Sequence, residues 1–270
     1  MSSATLDQPA IGYDYAAQPK RTIESCDLCS AGLPAVPHWT RDRYGFAVKI
    51  VECRRCGLIQ HAEQLTPAGY AELYERWYRP LVESFSGPRS DAQQEADQEQ
   101  TARLLLSALP AFFTRLRGKT LLDIGGSRGT VAAALRDKLA MIPTVVDPCQ
   151  QELHCCAEKG LATWHGTVAE LPEHLRWDVA VCLATIEHVP SIREFLADLR
   201  RHVNELLIVS VIDTDRAVER CGGWQKFLKI DHPFALHERQ AWSYLVRAGF
   251  WPLAAQQVDR FRFFVCEVGP

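Results

Sequence analysis

The sequence predicts an α/β protein: a mostly parallel sheet with a terminal antiparallel hairpin, preceded by a small metal-bound ribbon. Three observations carry this reading. From residue 119 onward, short apolar runs alternate with helical periodicity, the pattern of strands joined by crossover helices. The last two apolar runs, about 252–258 and 261–268, follow each other directly, as hairpin strands do. Towards the other end, two Cys-x-x-Cys pairs stand 23 residues apart.

Composition frames the rest. The 270 residues are 47% hydrophobic and 23% charged, with a formal net charge of −3. These are globular values, which exclude a mostly disordered or fibrous chain, and the length suits about two domains. A weakly acidic chain has no whole-surface grip on nucleic acid or an acidic membrane. No apolar run approaches the ~20 residues of a spanning helix. The opening MSSATLDQPAIGYDY lacks the charged start and apolar core of a secretory signal. The expected place is the cytoplasm, with no membrane partner.

The elements follow in order. Residues 1–22 show no periodicity and read as a flexible lead-in. Residues 23–64 hold strand-like pieces at 44–51 and 57–61 between the cysteine pairs. Residues 65–118 read as a helical linker or lid region. There Thr66 offers an N-cap and Pro67 a first helical residue. Tyr70, Tyr74, Trp77 and Tyr78 recur at helical spacing, either as a packing face or as a lid. Residues 87–100 are polar and read as a loop entering a helix. That helix has the face Ala102, Leu105, Leu106, Leu109, Phe112, Phe113 and Leu116, interrupted at Pro110. Within 119–270 come a strand at 120–124, a helix at 131–139, a strand at 144–146 and a helix at 151–160. A weak strand at 161–166 and a buried strand at 178–184 follow. Ser191 with Glu194 makes a capping box, then a strand at 205–212 and a helix at 236–248 lead to the hairpin.

Ten cysteines need a reason. Cys149, Cys155, Cys156, Cys182, Cys221 and Cys266 follow no framework spacing, and without a secretory signal disulfides are a poor explanation. Cys26, Cys29, Cys53 and Cys56 form two tight pairs, each able to turn both thiolates towards one ion. Four thiolates make a closed tetrahedral zinc site with no open position, hence a structural zinc. In a segment with little core, such binding contributes roughly 10 kcal/mol or more. Arg41, Arg43, Lys49, Arg54 and Arg55 lie in the same segment beside Asp42 and Glu52 and read as solvated surface.

The strand at 120–124 ends in Asp123-Ile124-Gly125-Gly126-Ser127-Arg128-Gly129, and a helix follows. A glycine-rich strand-to-helix turn lets backbone approach a ligand at a helix N-terminus. The dinucleotide pattern fails, because its third and sixth places hold Ser127 and Thr130. The turn resembles instead the D-x-G-x-G-x-G turn of class I S-adenosylmethionine (SAM)-dependent methyltransferases, with Ser127 at the middle glycine and Gly126 added beside it. Asp147 ends the next strand, 24 residues after Asp123. Thr167 and Val168 follow the third strand, with Thr167 where the family usually has an acidic residue. Leu183-Ala184-Thr185-Ile186-Glu187-His188-Val189 resembles the E-H-V segment of the branch that methylates small molecules. Cys53-Arg54-Arg55-Cys56-Gly57-Leu58 with its following aromatic helix is similar to the zinc-binding leader of bacterial sugar, glycan and natural-product methyltransferases. The large further domain usual in sugar C-methyltransferases finds no counterpart before Pro270.

The resemblance implies a Rossmann-like methyltransferase domain over 119–270 and a zinc ribbon over 23–64. It implies SAM on Asp123, Gly125, Gly126, Ser127, Gly129, Asp147, Thr167, Val168, Leu183 and Ala184, with Asp147 taking the ribose hydroxyls. It also implies that the loops bearing His188 and His232 border the acceptor pocket. A hydroxyl or acidic carbon needs a base. His188 is the first candidate and His232, in Asp231-His232-Pro233-Phe234, the second; Glu187 could orient His188 or contact SAM. Leu183 and Ala184 supply no acids for a catalytic metal. The expected function is methylation of a small molecule: a sugar, glycan precursor or natural-product intermediate. Two other readings stay open, an RNA methyltransferase whose ribbon grips RNA, and a non-catalytic SAM-binding or zinc-scaffold protein.

Overall fold

The computed structural model describes residues 11–34, 38–212, 214 and 227–269. Residues 1–10 of the expected lead-in, Cys221 and Pro270 lie outside the described residues. The chain divides into two compact units. One gathers Met1–Pro88, Glu187–Ile192 and Asp213–Gln240; the other gathers Arg89–Ile186, Arg193–Ile212 and Ala241–Pro270. The chain therefore enters the first unit again at the segments bearing His188 and His232.

The first unit is built on antiparallel pairing. Strand β1 (Lys20–Thr22) pairs with β5 (Glu63–Leu65). Strands β2 (His38–Arg41), β3 (Ala47–Glu52) and β4 (Ile59–His61), with β11 (Phe234–Ala235), form a sheet in the order β11-β4-β3-β2. The strand expected from residue 44 begins instead at Ala47. Asp42 accepts from the N–H groups of Tyr44 (2.9 Å) and Phe46 (3.0 Å), and Gly45 sits at φ +83°, so 42–46 is a turn. Helix α1 (Pro67–Glu72) starts as expected, with the Thr66 hydroxyl accepting from Gly69. A π-turn over Leu73–Trp77 separates it from α2 (Tyr78–Ser86) and resets the helical phase of the aromatic residues. Phe46, Leu58, Leu65, Leu73, Leu81 and Phe234 fill this unit's core.

The second unit is the expected α/β sheet. Helix α3 spans Asp91–Ala108, a 3₁₀ turn over Pro110–Phe112 leads to α4 (Phe113–Leu116), and β6 is Thr120–Ile124. Then come α5 (Thr130–Leu139), β7 (Ile142–Asp147), α6 (Gln150–Glu158), β8 (Ala162–His165) and β9 (Trp177–Leu183). Helix α7 (Ile192–Arg200), β10 (Val203–Ile212), α8 (Glu238–Arg247) and the hairpin β12 (Phe250–Val258) and β13 (Phe261–Val268) complete it. Among the described residues the sheet has the order β12-β13-β10-β9-β6-β7-β8. The pairs from β8 to β10 are parallel; β13 runs antiparallel to β10 and to β12. The order steps outward from β6 to β8 and then returns to β9 beside β6. That reversal is the switch point where open α/β sheets bind ligands.

The helix expected to follow a loop at 87–100 starts early, at Asp91. Ser90 and Gln93 form a reciprocal capping box there. The polar stretch hid this because its first turns are held by charge pairing instead of apolar packing. Leu105, Leu109, Leu116, Leu121, Leu135, Val179, Val181 and Ile208 form the main core, with Phe261 and Phe263. Among the described residues no helix is long and apolar enough to cross a membrane.

Candidate active site

The glycine turn of the second unit joins β6 to α5 at the switch point. Gly125 (φ +68°) has room for no side chain: a Cβ would lie 2.6 Å from Thr185 Oγ1 in the loop after β9. Gly126 is equally confined, its Cβ meeting Val145 at 2.7 Å and the Asp123 carboxyl at 2.8 Å. Ser127 takes the left-handed conformation usually left to glycine (φ +49°). Its N–H donates to Asp147 Oδ2 (2.9 Å), and its hydroxyl donates to Glu152 (2.8 Å). Asp147 also accepts from the Cys149 N–H (2.8 Å). The carboxylate at the end of β7 thus braces the turn. Asp123 is buried with Oδ2 unpartnered among the described residues, and burial together with the nearby Asp147 pushes its carboxyl up to about 7.

Helix α3 supports this turn from the same unit. Glu95 accepts from the Thr130 hydroxyl (2.6 Å) and from Lys159 (3.2 Å), whose ammonium also donates to the Arg128 carbonyl (3.0 Å). Thr167 is a local cap: its N–H and hydroxyl both donate to Glu170, at 2.7 and 2.9 Å. Val168 is buried. Ala184, at φ +48°, donates its N–H to Ser210 Oγ (3.0 Å), which sets the backbone just past Leu183.

In the first unit the four predicted cysteines come together. Their sulfurs all lie within 4.8 Å of one another, with Cys26–Cys56 and Cys29–Cys53 each at 3.5 Å. A tetrahedral zinc with sulfurs at ~2.3 Å needs sulfur spacings of about 3.8 Å. The two turns repeat one another. Ser30 N–H donates to Cys26 O (2.9 Å) and Cys26 N–H to Ala31 O (2.8 Å). Likewise Gly57 N–H donates to Cys53 O and Cys53 N–H to Leu58 O, at 2.8 and 2.9 Å. Ser30 and Gly57 are both left-handed, at φ +58° and +69°. Burial would raise the Cys53 thiol, but hydrogen bonds from the N–H groups of Cys56 and Arg55 and from the Cys29 and Cys26 side chains together draw it down to about 7. The donor set and spacing fit zinc.

The same unit brings Glu187, His188 and His232 into one buried cluster with Tyr74, expected as part of a packing face or lid, and with Asp231, Lys229 and His61, to which the sequence assigned no role. The His188 and His232 rings meet edge to face, centroids 4.8 Å apart. His188 Nδ1 lies 2.6 Å from the Asp231 carbonyl. The Tyr74 hydroxyl reaches the carbonyls of His188 (3.0 Å) and Asp231 (3.2 Å). Glu187 Oε1 is 3.7 Å from His232 Nε2, and neither Glu187 oxygen has a hydrogen-bond partner among the described residues. Burial, then His232 and Lys229, hold the His188 imidazole down at about 4, against Asp231 and Glu187. His232 is held at about 3, chiefly by burial and Lys229. Burial raises the Glu187 carboxyl. Burial would raise Asp231 too, but Lys229 at 2.8 Å and the histidines bring it to about 2. All three histidine rings of the cluster, His61 included, are therefore neutral at pH 7 and can accept protons. Asp231 stood in the quoted Asp-His-Pro-Phe run; His61 carries no sequence signal beyond its place four residues after Gly57.

Of the basic residues in this segment, Lys49 is paired with Glu63 (2.9 Å), and Arg41 donates to the Gly45 carbonyl (2.7 Å) and keeps its charge.

A family model described as "Methyltransferase domain" matches residues 94–257, more than half of the chain. The chain belongs to this methyltransferase family. Its fold is the Rossmann-like fold of class I SAM-dependent methyltransferases, as the sequence predicted. The methyltransferase resembles magnesium protoporphyrin IX methyltransferase from Synechocystis PCC 6803, solved with S-adenosylhomocysteine (SAH), at TM-score 0.58 and 14% identity over 75% of this chain and 99% of that one. It resembles Burkholderia thailandensis 1,6-didemethyltoxoflavin-N1-methyltransferase, solved with its acceptor and SAH, at TM-score 0.56 and 18% identity over 87% and 100% of the chains. Among curated relatives, the ubiquinone biosynthesis O-methyltransferase of Rickettsia canadensis is 25% identical over 117 residues, 40% of this chain and 49% of the relative. That of Rickettsia conorii is 29% identical over 101 residues, 34% and 35% of the chains. The methyltransferase thus spans about half or less of the curated relatives it matches.

Proposed function

We propose that this methyltransferase moves the methyl group of SAM to a small-molecule acceptor, of the sugar, glycan-precursor or natural-product class, with His188 as the general base. One observation supports this most: the Asp231 carbonyl can only accept, so His188 Nδ1 carries the proton and Nε2 keeps its lone pair. In this reading Gly125–Gly129 and the Asp123 end of β6 hold the methionine part of SAM, and Asp147 holds the ribose. Thr167, Val168, Leu183 and Ala184 line the cofactor's place, and residues 23–64 form a zinc ribbon on Cys26, Cys29, Cys53 and Cys56. SAM supplies an activated sulfonium methyl for in-line displacement. The chain's part is to orient the acceptor at about 3–3.5 Å from that carbon and to take its proton. His188 Nε2 takes the proton of an acceptor hydroxyl, amine or acidic carbon as the new bond forms. Asp231 and Tyr74 fix the ring's tautomer and place. His232, with Glu187 beside it, is the second candidate base.

The test is methyl transfer from labelled SAM to separated small-molecule and RNA fractions of cells that make the protein. Label in the small-molecule fraction, lost in His188→Ala, is the expected result. Label confined to RNA, or none in any fraction despite SAH binding, would overturn the reading.

A further inference from the structure

Asp27 stands inside the first cysteine pair, between Cys26 and Cys29. It is buried, and its carboxylate accepts from the Ser191 hydroxyl (2.6 Å) and from the Ile192 N–H (3.0 Å). Ile192 is the first residue of α7, whose opening N–H groups have no partners within the helix. A carboxylate there satisfies one such donor and meets the positive end of the helix. Asp27 is thus a cap supplied from 165 residues away in sequence. Its own N–H donates to the Gln60 side chain (3.0 Å), on the strand that leaves the second cysteine pair.

The residues held this way belong to the short segment Glu187–Ile192, which carries Glu187 and His188. The segment has two further grips. Arg21 donates to the Pro190 carbonyl (3.2 Å), and Tyr74 to the His188 carbonyl (3.0 Å). Arg21 and Tyr74 act on backbone acceptors, through rotatable side chains. Asp27 differs because the cysteine turn fixes its backbone on both sides.

We propose that Asp27 is a positioning residue, which ties the place of Glu187 and His188 to the geometry of the four-cysteine cluster. This rests on the reading of His188 as the residue that acts on the acceptor. Two hydrogen bonds to one carboxylate are strong enough to set the segment, since each charge-assisted bond changes a local equilibrium by about tenfold or more. A distortion of the cysteine turns then reaches His188 through Asp27 without any change in the glycine turn of the second unit.

The experiment follows the imidazole of His188 by nuclear magnetic resonance in the full-length, zinc-loaded protein with labelled histidine, assigned with His188→Gln. Amide exchange of Ile192 is read in the same samples. Asp27→Ala should move the His188 resonances and speed Ile192 exchange by about tenfold or more, with zinc content and SAH affinity retained. Asp27→Asn, which keeps one acceptor oxygen, should restore part of both. Ser191→Ala, remote from the sulfurs, should move His188 in the same direction by less, and it decides the matter if Asp27→Ala does not fold. Unmoved His188 resonances in either alanine variant overturn the proposal. None of these readouts needs the acceptor, so a failure of His188 as base would show separately, as unchanged turnover in His188→Ala.

Discussion

The Nδ1 atom of His188 lies 2.6 Å from the carbonyl oxygen of Asp231, and the Tyr74 hydroxyl bonds to the same carbonyl at 3.2 Å. Two residues 43 apart in sequence are thereby joined so that Nδ1 donates to the carbonyl and Nε2 carries the ring's lone pair.

The first prediction concerns that nitrogen. His188→Ala should lower the rate by about 10²–10⁴ while leaving SAH affinity nearly unchanged. Since burial holds the ring at about 4, it stays neutral as pH falls from 7 and protonates only near pH 4. The acid limb of kcat/KM assigned to the base should therefore lie well below pH 6.5. A limb centred near the ordinary histidine value, with the protein still folded, would show a base in a different setting.

His61 gives a stability prediction. Its ring is 1% exposed, neither nitrogen has a hydrogen-bond partner among the described residues, and burial followed by His232 brings it to about 3. The unfolded chain, with an ordinary histidine, binds more protons between about pH 6.5 and 3. The stability this group contributes is complete above about pH 6.5 and is lost as pH falls through that window, by about 1.4 kcal/mol per pH unit. Asp42 and Asp123, each raised to about 7 by burial, act in the opposite sense, so the comparison must be between two proteins. Urea midpoints from pH 7 to 5 should fall less steeply in His61→Gln than in the parent. Parallel slopes would mean that His61 titrates normally.

At the glycine turn, Asp147→Ala should weaken SAH binding by about 1–3 kcal/mol, as loss of hydrogen bonds to a charged group does. Gly126→Ala should weaken it too, because the added carbon meets the Asp123 carboxyl at 2.8 Å and Val145 at 2.7 Å. Calorimetry with SAH measures both. Wild-type affinity in Asp147→Ala would place the ribose elsewhere.

The cysteine cluster should hold one zinc per chain, and Cys53→Ser should lose it. The second unit has its own core of residues such as Leu121, Val179 and Ile208, so its sheet should remain folded in that variant. Metal analysis of freshly isolated protein and hydrogen exchange of β6 and β9 check the two halves. Protein isolated without zinc would defeat the first; loss of protection throughout the sheet would defeat the second.

Much of this architecture is legible in the chain because its signals are local. The alternation after residue 119, the paired cysteines, the glycine run after Asp123 and the hairpin at the end each report short-range physics: periodicity, turn conformation and ligand spacing. The early start of α3 was obscured because a capping box on Ser90 and Gln93 lies in a polar stretch that reads equally well as loop. The delayed start of β3 was hidden because the Asp42 turn depends on a buried carboxylate that also accepts from Ile230 (3.0 Å), far along the chain.

By itself, then, the sequence determined the fold class, the four clustered cysteines, the glycine turn and the family, since each is written in neighbouring residues. Only the tertiary structure decided what surrounds His188. Asp27, Tyr74, Asp231 and His61 owe their parts to burial and to partners tens to more than a hundred residues distant. A side chain's hydrogen-bond partner and its protonation state are properties of its folded surroundings, and no local spacing encodes them.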